Sequence, residues 1–426
     1  MVKLPCFCNK IAKMEIKRDV YLRKLIIRRN NGLIKVVTGM RRCGKSYLLF
    51  NLFRRWLLES GVPSDHIIAI ELDNIANSEF RDARRLYDYV RARVVDDQPY
   101  VVMLDEVQMV DGFEDVLNGF LHIENVDTYV TGSNSRFLST DIITEFRGRG
   151  DEVRIYPLSF KEFMSVYPGD RYQGWNDYTL YGGLPQVMMY QTDEQKREYL
   201  RQVYKTTYLK DLLERHHIRK RKELDELCQV LALTMSSLTN PSNLAAAFAG
   251  NGAESVTQKT VNAFLEYLED AFLLNRAKRY DVKGKRYINT LSKYYFTDPG
   301  IRNAVLDWRQ PDAGHLMEEV LYVELLRRGF RVDVGMVERR VVLDDGTTQR
   351  RQFEVDFVAD KSPERLYVQS SYEMPTAEKL EQEKTSLMLI RNAFRKLIIT
   401  HEPVRETSDE SGISIVSLFD WLLSED

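Results

Sequence analysis

The most informative segment of this 426-residue chain is Gly39-Met40-Arg41-Arg42-Cys43-Gly44-Lys45-Ser46. The segment matches the phosphate-binding pattern G-x-x-x-x-G-K-[ST] at every fixed position. Its surroundings fit as well, because the apolar run Leu33–Gly39 comes before it and the amphipathic segment Ser46–Leu58 comes after it. A buried strand, a glycine-rich loop and a helix in this order predict an α/β nucleotide-binding domain. The alternative is a chance match in an ordinary loop.

The residue types of this loop suit a nucleoside triphosphate, and we expect ATP. Glycines allow the backbone to curl so that successive N–H groups point at phosphate oxygens, and the following helix adds the positive end of its dipole. Lys45 is a mobile charge for the β- and γ-phosphates, and the Ser46 hydroxyl is a ligand for Mg²⁺. The residues expected to contact ATP are Gly39, Met40, Arg41, Arg42, Cys43, Gly44, Lys45, Ser46 and Tyr47.

Further short apolar runs follow the loop, namely HIIAIEL (His66–Leu72), YVVMLDE (Tyr100–Glu106), DTYVTGS (Asp127–Ser133) and DEVRIYP (Asp151–Pro157). Each run has the length and composition of a buried parallel strand, and amphipathic segments separate the runs. This alternation predicts βαβ units, which form a parallel sheet with helices on both faces. We assign residues 21–160 to this domain and residues 1–20 to an N-terminal extension.

The run Tyr100–Glu106 ends in two carboxylates, Asp105 and Glu106. An aspartate at this position holds Mg²⁺ in P-loop enzymes, and a glutamate one residue further can polarise a water for attack on the γ-phosphate. Because a kinase uses its acceptor as the nucleophile, the pair favours hydrolysis over transfer to a second substrate. The alternative is two solvated acids at the end of a strand.

Polar residues also follow the next strand, where Asn134 or, alternatively, Ser133 is suited to hold the attacking water or to sense the γ-phosphate. Two arginines, Arg147 and Arg149, precede the last strand, and an arginine can neutralise transition-state charge in a neighbouring subunit. The other interpretations are a polar loop or helix cap for the first two residues and a solvated basic loop for the arginines. The expected catalytic residues are Glu106, Lys45, Asn134 and one of the arginines.

Composition limits the class of protein. The chain has 61 basic and 63 acidic residues, which excludes a uniformly basic nucleic-acid-binding protein, although residues 201–222 and 276–293 are locally basic. No apolar run approaches the roughly 18 residues of a membrane span. The start MVKLPCFCNK lacks the apolar core of a signal peptide, and four cysteines in such a chain do not indicate a disulfide framework. These features favour a cytoplasmic protein without a membrane partner.

After Pro157 the alternation of strands and helices stops, and we expect a helical lid or linker over residues 161–222. Residues 223–310 combine short helices with a basic hairpin at residues 275–290, an arrangement that resembles a winged helix. Residues 311–426 have the pattern of a small α/β domain. The hairpin and a helix face with Gln258, Lys259 and Asn262 are suited to contact DNA. A protein-docking module and a solvated hairpin are the alternatives.

Several motifs occur in the order typical of a prokaryotic family of AAA-type ATPases, namely GMRRCGKS, LDEVQ, TGSNS, FRGRGDEVRIYPLSFKEF and YGGLPQV. The chain resembles this family over nearly its whole length, since YFTDPGIRNAV, GHLMEEVLYVELLRRGF and FEVDFVAD also match. Family members join an AAA-type domain to a C-terminal winged-helix and restriction-endonuclease-like region. The resemblance implies ATP binding and hydrolysis, and it favours Arg149 over Arg147 as the transition-state arginine. It gives the nucleotide roles to Gly44, Lys45, Ser46, Asp105 and Glu106.

An active endonuclease-like core needs a helix glutamate, a strand aspartate and E-x-K on the next strand, because the carboxylates hold Mg²⁺ and the lysine helps to place water. Glu318 and Asp356 lie at the expected points, but the next strand has Tyr367-Val368-Gln369. Tyrosine cannot replace a metal-binding carboxylate, and glutamine carries no charge. We therefore expect a degenerate fold without cleavage. The alternative is a metal-dependent nuclease that uses Glu318 and Asp356. Another polar arrangement, formed by Gln369 and Tyr372, would then stand at the place of E-x-K.

Together these features predict a cytoplasmic protein that hydrolyses ATP with Mg²⁺ and couples its nucleotide state to the arrangement of its C-terminal domains, with DNA as a candidate partner. Two other classes stay open. One is a nucleotide-gated DNA-binding switch with negligible turnover, and the other is a metal-dependent nuclease. An arginine that acts on a neighbouring subunit would also require a homo-oligomer.

Overall fold

The computed structural model describes residues 15–132, 148–250, 256–309, 312–342, 347–374 and 376–424. The chain forms two compact units. Of the described residues, the first unit comprises those up to Leu158 together with Leu184–Met189 and Asp270–Phe272, and the second comprises the others. Within the described ranges, no helix has both the length and the apolar character needed to cross a membrane.

The first unit is built on a sheet of five parallel strands. The strands are β1 (Ile34–Gly39), β2 (Ile67–Glu71), β3 (Tyr100–Asp105), β4 (Val126–Thr131) and β5 (Gly150–Ile155). Their order is β2-β3-β4-β1-β5. Strand β4 therefore lies between the strand that precedes the glycine-rich loop and the strand that ends in two carboxylates. The predicted parallel sheet is confirmed.

Helices alternate with these strands. They are α1 (Asp19–Ile27), α2 (Lys45–Tyr47), α3 (Arg54–Glu59), α4 (Ala83–Arg93) and α5 (Phe113–Phe120), with a π-helical stretch, Leu48–Phe53, between α2 and α3. Short 3₁₀ helices cover Ser64–His66, Ile75–Arg81 and Val107–Met109. Strands β1 and β3 are buried along their whole length, which explains their continuous apolar runs. The core joins the strands to α4 and α5 and includes Val36, Ile68, Leu86, Val102, Phe113 and Leu117.

From Phe160 onward the chain is mostly helical before its second sheet begins. The helices are α6 (Phe160–Met164), α7 (Arg171–Tyr181), α8 (Asp193–Gln202), α9 (Lys210–Arg215), α10 (Arg221–Leu233), α11 (Pro241–Gly250) and α12 (Gln258–Asp270). A 3₁₀ helix covers Pro185–Met189, and a π-helical stretch, Val203–Leu209, joins α8 to α9. The later helices are α13 (Pro299–Val305), α14 (Ala313–Arg327), α15 (Ala377–Met388) and α16 (Leu418–Leu423).

The second unit contains an eight-stranded sheet in the order β12-β13-β11-β10-β9-β8-β6-β7. Its strands are β6 (Leu274–Asp281), β7 (Arg286–Phe296), β8 (Arg331–Val342), β9 (Thr348–Lys361), β10 (Glu364–Ser371), β11 (Arg395–Thr400), β12 (Thr407–Ser408) and β13 (Ile413–Ser417). Strands β8, β9 and β10 are antiparallel neighbours, whereas β10, β11 and β13 run parallel.

The hairpin of β6 and β7, which we predict to belong to a domain that ends at residue 310, pairs with a strand beyond that boundary. Strand β6 pairs with β8 in parallel, from Arg279 opposite Val334 to Asp281 opposite Met336. The hairpin therefore shares one sheet with the C-terminal strands. A physical reason is that the edge of an isolated hairpin exposes backbone N–H and C=O groups, which gain partners when the hairpin joins a larger sheet.

Candidate functional site

Two glycines shape the loop that joins β1 to α2. Gly39 has φ 139°, and a Cβ atom there would lie 2.1 Å from the carbonyl oxygen of Ile155. This close approach follows from the pairing of β1 with β5, which places Gly39 opposite Ile155. Gly44 has φ 98° and forms the N-cap of α2. Only glycine fits the first position without a clash, and both positions have the backbone conformation that glycine favours.

Lys45 folds back over this loop. Lys45 is 5% exposed, and its Nζ donates to the carbonyl oxygens of Gly39 at 3.0 Å and Met40 at 3.1 Å. These partners are neutral main-chain groups. Because an ionised acceptor makes the stronger hydrogen bond, the ammonium can exchange these carbonyl oxygens for the oxygens of a phosphate.

Three oxygen-bearing side chains meet at the carboxyl edge of the first sheet. Asp105 ends β3, Thr131 ends β4, and Ser46 lies in α2 directly after Lys45. The hydroxyl of Thr131 donates to the Asp105 carboxylate, and Ser46 is hydrogen-bonded to Asp105 as well. Burial raises the pKa of Asp105 above its ordinary value, and the hydrogen bonds from Thr131 and Ser46 reverse this only in part. A bound cation would therefore stabilise the ionised form of Asp105.

Glu106 follows Asp105 in an unusual backbone conformation. Its φ is 51°, a left-handed value that is uncommon for a residue with a side chain. Its N–H donates to the Thr131 hydroxyl oxygen at 3.1 Å, and the amide of Gln108 donates to its carboxylate. Thr131 thus connects both acids. Sequence analysis missed Thr131, although its position at the end of the strand beside β3 was a usable signal.

The other residues of the loop differ in how far their side chains are exposed to solvent. Met40 and Cys43 are buried, and the Cys43 Sγ lies 3.8 Å from the carbonyl oxygen of Ile155. Arg41 is half-buried, Arg42 is exposed with φ 64°, and Tyr47 is 41% exposed. Since the side chains of Met40 and Cys43 are buried in the protein, the ATP contacts predicted for these two residues are restricted to their main chain.

A buried arginine from the segment before α1 holds the loop. Arg18 is 4% exposed, and its guanidinium donates to the carbonyl oxygens of Cys43 at 3.0 Å and Tyr156 at 2.7 Å. It also lies over the ring of Tyr21, 4.6 Å from the centroid. Arg18 therefore ties the phosphate-binding loop to the residue that follows β5. Sequence analysis placed it in the N-terminal extension, because no local pattern distinguishes it from other arginines.

The segment Tyr181–Pro185, with the sequence YGGLP, also lies near the phosphate-binding loop through its last residue. A Cβ atom on Gly44 would lie 3.8 Å from Cγ of Pro185 and 3.7 Å from a guanidinium nitrogen of Arg18. Pro185 belongs to the stretch Leu184–Met189, which is part of the first compact unit. This position gives a physical role to a motif that the sequence indicated only through the family resemblance.

Among the remaining predicted residues of the ATPase site, the structure describes Arg149. Asn134, Ser133 and Arg147 lie outside the described residues. Arg149 is exposed, and its carbonyl oxygen accepts from the N–H of Ile34 at 2.9 Å. Ile34 begins β1, whereas the loop follows its other end, roughly 17 Å away at 3.3 Å per residue. Arg149 therefore lies at the edge of the sheet opposite its own phosphate-binding loop.

The residues predicted for a nuclease-like site do meet in the second unit. Glu318 lies on α14, Asp356 on β9 and Gln369 on β10. The side-chain oxygen of Gln369 accepts from the N–H of Asp356 at 3.5 Å. Lys293 of β7, which sequence analysis missed, places its Nζ 2.9 Å from Oε1 of Glu318. The E-x-K pattern places the lysine on β10. Sequence analysis therefore did not consider a lysine from the β6–β7 hairpin.

Two protein families match separate parts of the chain. Residues 31–164 match a family described as an AAA domain, and residues 172–312 match a domain of unknown function, DUF8612. The structure of Aeropyrum pernix ORC1 protein in complex with DNA is 13% identical, with 71% of this chain and 95% of that chain covered and a TM-score of 0.30. AMPPCP-bound DnaA from Aquifex aeolicus is 15% identical, with 50% and 67% covered and a TM-score of 0.26. TM-scores this low do not establish a shared fold.

Two curated relatives extend over nearly the whole chain. An uncharacterized protein of Methanocaldococcus jannaschii is 26% identical, with 97% of this chain and 92% of the relative covered. An uncharacterized protein of Haemophilus influenzae is 31% identical over 420 residues, which are 97% of this chain and 100% of the relative. The chain therefore belongs to the same family as this Haemophilus influenzae protein, and it carries an AAA domain over residues 31–164.

Proposed function

We propose that this protein binds ATP and hydrolyses it with Mg²⁺. One observation carries the proposal. Ser46, which directly follows the phosphate-binding loop, meets Asp105 and Thr131 at the carboxyl edge of the sheet, and the N–H of Glu106 donates to the Thr131 hydroxyl oxygen. An AAA domain over residues 31–164 supports the proposal.

The residues present suit a magnesium ion. Ser46 and Asp105 carry oxygen atoms that already share a hydrogen bond. Mg²⁺ prefers oxygen ligands and is usually held by one or two protein groups together with water and substrate phosphates. Held by Ser46 and Asp105, Mg²⁺ would supply positive charge to neutralise the charge that develops on the phosphates.

Side chains and main-chain groups of the protein itself bind the phosphates, accept the proton and position the acids. Lys45 exchanges the carbonyl oxygens of Gly39 and Met40 for phosphate oxygens, and the N–H groups at the start of α2 bind the same phosphates. Glu106 accepts a proton from the attacking water. Thr131 is a positioning residue, because it holds the Asp105 carboxylate and the Glu106 N–H in one place.

Coupling of the nucleotide state to the second unit is part of this proposal. Within the YGGLP segment the chain passes from the second unit, which contains Gly183, to the first, which contains Pro185. Since Pro185 lies near Gly44, we propose that occupancy of the loop changes the conformation of this segment.

Phosphate release from ATP by the full-length protein, with and without DNA, tests the proposal. Lys45→Ala should abolish turnover. Glu106→Gln should retain bound ATP while turnover falls by about 10²-fold or more, because only the proton acceptor is lost. Glu59→Gln, at the exposed end of α3, is the matched control and should behave as the wild type. Absence of phosphate release under all conditions contradicts hydrolysis, and absence of ATP binding contradicts the whole proposal.

A second candidate is a nucleotide-gated DNA-binding switch with negligible turnover. Helices α10, α11 and α12 and the hairpin β6–β7 follow one another in the order of a winged helix, and Thr239, between the first two helices, pairs with Ser292 of β7. Exposed polar residues lie on α12 and on the hairpin, namely Gln258, Lys259, Asn262, Lys283, Lys285 and Arg286. A basic wing and a polar helix face are suited to contact phosphates and a groove.

Salt-dependent binding of duplex DNA, measured by fluorescence anisotropy, separates the two candidates. Lys285→Gln with Arg286→Gln should weaken binding and reduce the salt slope by about 2, one unit for each lost phosphate contact. Arg84→Gln with Arg91→Gln on α4 is the matched control, since it removes equal charge from the first unit. The switch predicts that ATP changes DNA affinity without phosphate release. Unchanged binding in the hairpin variant contradicts the proposed DNA contact.

A further inference from the structure

The second unit contains a buried cation among carboxylates. Lys293 is 3% exposed, and its Nζ lies 2.9 Å from Oε1 of Glu318 and 2.6 Å from Oε1 of Glu354. Glu354 precedes Asp356 by two residues on β9, and the charges of both act on Lys293. Acidic residues from α14 and β9 thus converge on one ammonium group supplied by β7.

The pKa values of Lys293 and Asp356 depend on the charges of their neighbours in this cluster. Burial lowers the pKa of Lys293, but the carboxylates of Glu318, Asp356 and Glu354 outweigh burial and raise that pKa above its ordinary value. Lys293 is therefore positively charged at neutral pH. Burial, followed by the nearby charge of Glu318, raises the pKa of Asp356 well above its ordinary value. The ammonium is the charge that keeps these acidic groups together.

Hydrogen bonds complete the cluster from other sides. The Tyr295 hydroxyl donates to Oε1 of Glu318 at 2.6 Å, and the Ser370 N–H donates to Oδ2 of Asp356 at 2.8 Å. Oε1 of Glu318 thus already accepts from both Tyr295 and Lys293. In the part of the chain that the structure describes, no group of three or more Asp, Glu, His or Cys residues is arranged to hold a metal ion. The arrangement as it stands does not fit a divalent cation.

We propose that the Lys293 ammonium takes the place of a divalent cation in the endonuclease-like part of this protein. An ammonium brings one positive charge where Mg²⁺ brings two, and it cannot generate a nucleophile from a bound water as a metal ion does. Metal-dependent cleavage of a phosphodiester is therefore not an activity of this unit. The cluster instead joins β7 and β9 to α14.

It follows that the second unit holds a latent metal site. Removal of the ammonium leaves Glu318, Glu354 and Asp356 around a vacated position, and carboxylate oxygens are the ligands that Mg²⁺ and Mn²⁺ prefer. A cavity of about 1050 Å³ borders Glu354 and Gln369. Ions in solution can therefore approach the cluster through this cavity.

Binding of Mn²⁺ to the full-length protein without nucleotide, followed by electron paramagnetic resonance, tests the proposal. All variants carry Asp105→Asn, so that the first unit does not contribute. Lys293→Met should bind Mn²⁺ at least about tenfold more tightly than its parent, because the carboxylates then need another cation. Addition of Glu318→Gln should remove this gain. Lys293→Arg, which keeps the charge, and Lys35→Met, which removes a buried lysine beside Asp127 in the first unit, should show no gain.

Two results of the Mn²⁺ experiment would overturn the proposal. One is saturable Mn²⁺ binding by the parent that Glu318→Gln abolishes, and the other is a folded Lys293→Met protein without tighter binding. If Lys293→Met does not fold, Lys293→Gln replaces it. The parent itself is also incubated with supercoiled DNA and Mn²⁺. Intact DNA supports the proposal, and cutting that Asp356→Ala abolishes overturns it.

Discussion

Two buried lysines, Lys45 in the first unit and Lys293 in the second, differ in the groups that hold their ammonium. Lys45 donates to main-chain carbonyl oxygens, whereas Lys293 is held by the carboxylates of Glu318 and Glu354. A phosphate is a stronger partner than a carbonyl, but it has no such advantage over two carboxylates. The first ammonium is therefore available to a ligand, and the second is part of the fold.

The largest expected difference between the two lysines is in ATP turnover. Lys45→Met should reduce phosphate release by about 10³-fold or more, because it removes the charge that we propose for the β- and γ-phosphates. Lys293→Met should leave the turnover of each folded molecule unchanged. Both are measured as phosphate release per folded protein, with the folded fraction taken from circular dichroism. An equal loss in the two variants would contradict the distinction between them.

The two sites also differ in whether one chain completes them. The Lys293 cluster draws on one chain only, whereas Arg149 lies at the sheet edge opposite its own loop. If Arg149 acts in hydrolysis, it acts on a neighbouring subunit. Arg149→Ala should then lower turnover by about 10³-fold, in the range typical of such arginines.

A mixture of two inactive variants tests this arrangement. Lys45→Met keeps Arg149, and Arg149→Ala keeps the loop, so a mixed oligomer contains some complete sites. Turnover of the equimolar mixture should exceed the sum of the separate variants. Arg84→Ala, at an exposed position on α4, is the control for loss of surface charge. If mixing restores nothing although Arg149→Ala is inactive, Arg149 does not act between subunits.

The third expected difference is in stability. Lys293→Met leaves Glu318 and Glu354 without their cation, and removal of one partner from a buried ion pair costs about 3 kcal/mol of unfolding free energy. Lys45→Met removes hydrogen bonds to neutral carbonyls and should cost about 1 kcal/mol. Urea unfolding at neutral pH, with separate probes for the two units, measures both. A larger loss in Lys45→Met would reverse the comparison.

The first site was largely predictable because its parts are close in sequence. The loop is continuous, the two acids end one strand, and parallel strands bring their carboxyl ends to one edge. Thr131 and Arg18 were missed for different reasons. Thr131 ends the correct strand, but the polar residues after it suited the role equally well in the sequence. Arg18 reaches Cys43 and Tyr156 across 25 and 138 residues of sequence, and no local spacing encodes such contacts.

The second site could not be assembled from sequence because its lysine comes from another strand. The lysine of an E-x-K motif would lie on β10, where this chain has Gln369. Lys293 lies on β7, 25 residues before Glu318, and it approaches through the pairing of β6 with β8. The hairpin's turn and basic composition were visible, but its partner strand was not. Sheet pairing over long separations depends on packing that a single strand's pattern does not contain.

A buried carboxylate held by main-chain groups allows a smaller test in the second unit. Asp298 is fully buried and accepts from the N–H groups of Gly183 at 2.7 Å and Ile301 at 3.1 Å. Burial raises the pKa of Asp298 to about 6, and these N–H groups reverse the shift only in part. Where Lys293 offsets the charge of its carboxylates, Asp298 relies on neutral donors.

The pH dependence of stability follows from this raised pKa. Between the ordinary aspartate value of 3.8 and about 6, the folded protein binds more protons at Asp298 than the unfolded chain does. Stability from this group is therefore fully present below pH 3.8, falls as the pH rises, and is lost above about 6, by roughly 3 kcal/mol in all. Asp298→Asn cannot ionise and should lack this loss, apart from a constant offset for the altered hydrogen bonds. Urea unfolding of the second unit from pH 4 to 8 compares the slopes, and parallel curves for the two proteins would show that Asp298 does not titrate as its burial requires.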